Sequence, residues 1–104
     1  MILTTLEGVP GMQMVQHYGL VSGNTVRAKN VGKDFLAGLK NLVGGELGAY
    51  TELLQESRQE ATNRMIAQAQ QQGANAIVNV RFATSSIAAG AAELYVYGTA
   101  VRVQ

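Results

Sequence analysis

The chain contains no cysteine and no tryptophan, and only one proline and one histidine among its 104 residues. Without thiols there are no disulfides, no thiolate metal sites and no cysteine nucleophile. Charge is scarce at 14% and nearly balanced, with eight cations against seven anions. A net charge of +1 gives no electrostatic footprint for nucleic acid. No apolar run approaches the ~18 residues of a membrane span. The first residues lack the basic start and unbroken apolar core of a signal peptide. A hydrophobic fraction of 47% is not a disordered composition. One soluble domain over residues 1–104, expected in the cytoplasm, fits these figures.

Hydrophobic periodicity orders the chain. Met1 to Leu6 reads as a short strand, and Gly8-Val9-Pro10-Gly11 as a turn. Met12 to Ser22 reads as a longer strand ended by Gly23-Asn24. Strict alternation puts Met12, Met14, Gln16, Tyr18, Leu20 and Ser22 on one face, and Gln13, Val15, His17, Gly19 and Val21 on the other. Asn30 is an N-cap candidate for a first helix with Val31, Phe35, Leu39 and Leu42 or Val43 on one stripe. A second, longer helix is predicted over about Gly48 to Gln72, with Tyr50, Leu54, Ala61, Met65 and Ala69 on one face. Glu60 and Arg64 form an i,i+4 pair on its polar side. Gly73 comes next as the residue after the C-cap. Ala76 to Ala83 and Leu94 to Val103 read as two closing strands, joined by a small-residue connector. The expected fold is α+β: a two-layer antiparallel sheet packed on one long helix plus a shorter one.

The last strand is apolar on both faces. Leu94, Val96, Gly98 and Ala100 line one side; Tyr95, Tyr97, Val101 and Val103 line the side where water is expected. Burying each such side chain is worth about 1.5–3 kcal/mol. A chain this short has few elements left to form a second covering layer. Tyr95, Tyr97, Val101 and Val103 are therefore the predicted homo-oligomer interface, the alternative being a monomer whose N-terminal strand or first helix wraps over that face.

Chemistry-bearing residues are sparse. His17 has no nucleophile or carboxylate in a local motif. Met12, Met14 and His17 form a group of soft donors, but alternation points His17 away from both methionines. Asp34 and Glu46 flank the first helix and, with His17, are the candidate metal ligands if symmetry repeats them. With Tyr50 they also mark the one conceivable inter-subunit active site. Arg27, Lys29, Lys33 and Lys40 give a local cationic excess suited to an anion. Gly44-Gly45-Glu46-Leu47-Gly48 lacks the lysine and hydroxyl of a phosphate-binding loop. No catalytic residue is assigned, no cofactor is expected beyond a metal ion at such a site, and the chain reads as non-enzymatic.

Several stretches in order resemble the YbjQ-like family of uncharacterised bacterial and archaeal proteins. They are Leu6-Glu7-Gly8, Gly19-Leu20-Val21-Ser22-Gly23, Asp34-Phe35-Leu36-Ala37-Gly38, Val43-Gly44-Gly45, Gly48-Ala49-Tyr50, Gly73-Ala74-Asn75-Ala76-Ile77-Val78 and Gly98-Thr99-Ala100-Val101. The resemblance implies a dodecin-like subunit and a homopentameric ring, and it carries a heavy-metal-binding label. On this reading the protein is a ring that binds a small ligand or protein partner at subunit boundaries. The alternative is a metal- or anion-binding module with symmetry-repeated His or carboxylate ligands. Neither nucleic acid nor membrane is an expected partner.

Overall fold

The computed structural model describes residues 1–27, 48–88 and 91–104. The first predicted helix, Asp34 and Glu46 lie outside those residues. The described chain forms β1 (Ile2–Leu3), β2 (Met14–Arg27), the 25-residue helix α1 (Gly48–Gln72), β3 (Ala76–Ala88) and β4 (Ala91–Val103). One sheet holds all four strands in the order β1-β3-β4-β2.

The sheet is mixed rather than antiparallel throughout. β4 runs antiparallel to both β3 and β2, whereas β1 runs parallel to β3. The cause lies in the turn at Pro10. Met12 N–H donates to Val9 O and Gly11 takes φ +78°, but no hairpin forms. Instead β1 and β2 occupy opposite edges of the sheet, and Val9, between them, packs on Ala76, Val78, Val101 and Val103. The N-terminal segment thus crosses the face that α1 leaves bare.

Two further expectations are corrected. β2 continues past Gly23-Asn24, because Thr25 and Val26 keep pairing with Leu94 and Glu93. Residues 84–88 are strand rather than connector, since Thr84 and Ser85 pair with Leu94 and Glu93. Thr tolerates a pleated strand well, and Gly23 is there for a close approach, not for a turn.

α1 covers the other face. Ser57, Ala61, Met65 and Ala69 recur every four residues and are all buried. The last three pack with Val21, Ile77, Val80, Val96 and Ala100 as the main core. Leu54, predicted for the same face, is partly exposed, so among the described side chains the buried stripe runs from Ser57 to Ala69. The helix ends as the sequence predicts: Gly73 takes φ +92°, its N–H donates to Gln70 O, and Ala74 N–H donates to Ala69 O. Those two bonds form a Schellman cap. Tyr18 Oη–H and Arg102 Nη1–H both donate to Gly73 O. The Glu60–Arg64 pair forms on the solvent side.

The edges of the sheet are treated unequally. On β2, Ser22 N–H donates to Gln68 Oε1 and Asn24 O accepts from Arg64 Nη1–H, so α1 side chains close that edge. On β3, residues 2–6 supply partners as far as Val80, whose N–H donates to Thr4 O. Alternation from Val80 places the outward backbone groups of β3 on Phe82 and Thr84. Among the described residues nothing engages them, and residues 81–85 are all exposed.

Candidate functional site

Three irregularities decide which side chains share a face. In β3, Asn79 adopts φ +54° and the pairing with β4 shifts between Val78 and Arg81. This bulge places Val80 with Ile77 in the helix-side core, and leaves Val78 on the outer face with Val101. Simple alternation would put Val78 and Val80 together. In β2, the register shifts between Met14 and Gln16 and again between His17 and Gly19, where Gly19 takes φ +101°. Each shift adds one residue, so each reverses the parity of the residues beyond it.

The consequence corrects the reading of His17. Met14 pairs with Val103 and His17 pairs with Val101. Paired residues share a face, and Val101 and Val103 both lie in the outer-face cluster. Met14 and His17 therefore stand on the same face, three residues apart, because one bulge lies between them. Gln13 and Gln104 exchange both backbone bonds, which continues the ladder one step further. Alternation from Gln13 sends Met12 to the side of Met14. Met12, Met14 and His17 are all exposed, and no hydrogen bond or ion pair holds the His17 ring among the described residues.

The outer face has a closed end and an open end. At the closed end Val101 and Val103 are buried within the chain, with Val9 packed against them. These two side chains do not require a second copy to leave water. At the open end Tyr95 and Tyr97 are half-buried and stack on each other, ring centroids 5.4 Å apart at 29°. Their β2 partners are Asn24 and Ser22. The neighbouring residues on the same face of β2 are Leu20, 67% exposed, and Val26, 47% exposed. Leu20 and Val26 are absent from the interface that the sequence predicts. Their signal is legible all the same: they flank Ser22 and Asn24 on the face opposite Val21 and Thr25. Asn24 Nδ2–H donates to Glu93 Oε2 at 3.0 Å and gives this patch a polar border.

The described residues offer little for acid–base chemistry. No group of three His, Asp or Glu side chains converges among them. A shallow groove on the helix side is floored by Phe82 and walled by Gln55, Glu56, Arg58, Gln59 and Thr62, without a buried titratable group. Among the described residues, no helix is long and apolar enough to cross a membrane. The donor set that fits a heavy metal is the soft one: two thioethers and an imidazole suit Cu(I), whereas hard cations require oxygen ligands.

Fold and surface together define a small α+β protein with a mixed four-stranded sheet, one face under a helix and the other covered, among the described residues, at one end only. The chain belongs to the YbjQ-like family, whose profile, described as "Putative heavy-metal-binding", matches residues 1–104. It is 69% identical over 96 residues to a UPF0145 protein of Acinetobacter baylyi, spanning 92% of this chain and 89% of that one. Identity to a UPF0145 protein of Archaeoglobus fulgidus is 61% over 103 residues, spanning 99% and 95%. The fold is similar to the crystal structure of a protein of unknown function from Pediococcus pentosaceus assigned to the DUF74 family. That likeness has a TM-score of 0.65 at 14% identity and covers 100% of this chain and 98% of that one.

Proposed function

We propose that the protein is a non-enzymatic homo-oligomer, a ring of five copies, that binds a small ligand or protein partner where subunits meet. One observation carries the reading: the open end of the outer face presents Leu20, Val26, Tyr95 and Tyr97 together. Contiguous exposed apolar surface of this kind marks an interaction site. The edge of β3, unpaired among the described residues beyond Val80, supports a ring over a two-fold dimer. Closed rings need two different complementary surfaces on each copy, and the patch and the edge are two such surfaces. Phe82 to Ala88 also carries no charge and no proline, the usual protection of an exposed strand edge.

Native mass spectrometry at micromolar concentration tests this. Five copies of 11.0 kDa give a particle of about 55 kDa, and a retained ligand adds its own mass. The double variant Leu20→Glu, Tyr97→Glu is expected to run as a monomer with an unchanged circular dichroism spectrum. An 11 kDa wild-type particle refutes the reading.

A further inference from the structure

We propose that Met12, Met14 and His17 form a surface site for a soft monovalent metal ion, Cu(I) or Ag(I). The site does not depend on the oligomer, because one chain supplies all three donors. In sequence the spacing Met-x-Met-x-x-His defeats a strand: an odd interval of three sends His17 to the opposite side from Met14. The extra residue between Met14 and Gln16 cancels that odd interval. Val103 and Val101, opposite the two side chains, are two residues apart on β4, so Met14 and His17 are separated by roughly 6.6 Å along the strand direction. Methionine has three rotatable bonds and can close such a gap.

The chemistry selects the ion. Thioether sulfur favours Cu(I), and imidazole accepts the same metal. No group of three His, Asp or Glu side chains gathers among the described residues, so no carboxylate cluster of the kind Ca(II) or Mg(II) requires is present there. The donors are accessible, and the His17 ring has no competing partner among the described residues. The surroundings are also fixed. The Gln13–Gln104 pair anchors one end of the site, and Val101 and Val103 beside it on β4 are fully or nearly fully buried. The sheet therefore presents donors that a free peptide would have to gather at an entropic cost.

The test is competition with a Cu(I)-specific chelator under anaerobic conditions, using the whole protein and a synthetic peptide of residues 10–19. The expected result is one Cu(I) per chain, held at least tenfold tighter than by the peptide, with the His17 ring resonances shifting on titration. Met14→Leu and His17→Phe should each weaken binding tenfold or more, and Met12→Leu several-fold. All three positions are exposed, and unchanged circular dichroism checks that the fold survives. Zn(II) should compete weakly. Binding no tighter than the peptide's, or unaffected by Met14→Leu and His17→Phe, overturns the proposal. Tight binding that survives replacement of both Met12 and Met14 by leucine does so as well.

Discussion

Replacing Gly23 with alanine adds one methyl group, yet the structure gives it nowhere to go. A Cβ at Gly23 falls on Ala61 O and lies 2.7 Å from Met65 N and 3.0 Å from the Ala61 carbonyl carbon. All three are backbone atoms of α1, so no rotamer change relieves the collision and the helix must withdraw. Withdrawal separates Ala61, Met65 and Ala69 from Val21, Val96 and Ala100. Overpacking costs about 1–3 kcal/mol, and a rigid backbone obstacle places this case at the upper end. Against that, alanine restricts the unfolded chain and returns up to about 1 kcal/mol. The net loss is about 2 kcal/mol or slightly more. An unfolding entropy near 2.1 cal/mol/K per residue gives ~0.22 kcal/mol/K for this chain, so Tm should fall by roughly 9–11 °C. The assay is thermal unfolding followed by circular dichroism, at one fixed protein concentration because association raises Tm. Gly8→Ala is the control: its Cβ meets nothing within 4 Å, and its Tm should stay within a few degrees. If Gly23→Ala melts with the parent, the close approach of helix to sheet is wrong.

Gly98→Val should destabilise by about 1–3 kcal/mol in urea, because its Cβ alone would sit 2.7 Å from Ile77 Cγ2 and 3.0 Å from Val78 O; an unchanged urea midpoint counts against that contact. Asn75→Ala removes both 2.8 Å bonds that its amide makes with Val103, Nδ2–H donating to the carbonyl and Oδ1 accepting from the N–H. The expected loss is about 1–3 kcal/mol, with faster amide exchange at Val103. Gln68→Leu leaves the Ser22 N–H without its 2.8 Å acceptor, and its exchange should quicken while global stability drops by roughly 1 kcal/mol or less. Protection of Ser22 identical to the parent's would show that Gln68 does not close that edge.

Elements with a single dominant signal are legible in the residues. α1 and its Gly73 cap arise from a four-residue apolar repeat and a glycine that accepts positive φ. The central strand arises from the alternation of Val96, Gly98, Ala100 against Tyr95, Tyr97. Local pattern cannot show where β1 pairs, because two neighbouring strands joined by a turn look alike whether or not they form a hairpin. Nor does it show the bulges. Asn79, Gly19 and the stretch from Met14 to Gln16 each insert one residue, and every face assignment beyond an undetected insertion inverts. That inversion misplaces His17 relative to Met14 and Val80 relative to Val78. For Val101 and Val103 the difficulty is of another kind: two-sided apolarity demands a cover but does not distinguish a sister chain from Val9.

The position of β4 has a consequence for biosynthesis. Among the described residues β2 has no strand neighbour except β4, and β3 keeps only the two residues of β1 without it. During translation β2, α1 and β3 all leave the ribosome before the segment that joins them. Until residues 91–103 emerge, Val21, Ile77 and Met65 have no continuous sheet to pack upon, and the nascent chain must keep them from other polypeptides. Pairing Met14 with Val103 then closes a span of nearly the whole chain in one step, which is a slow topology by contact order. Folding of this domain is thus expected to be late and concerted, triggered by β4.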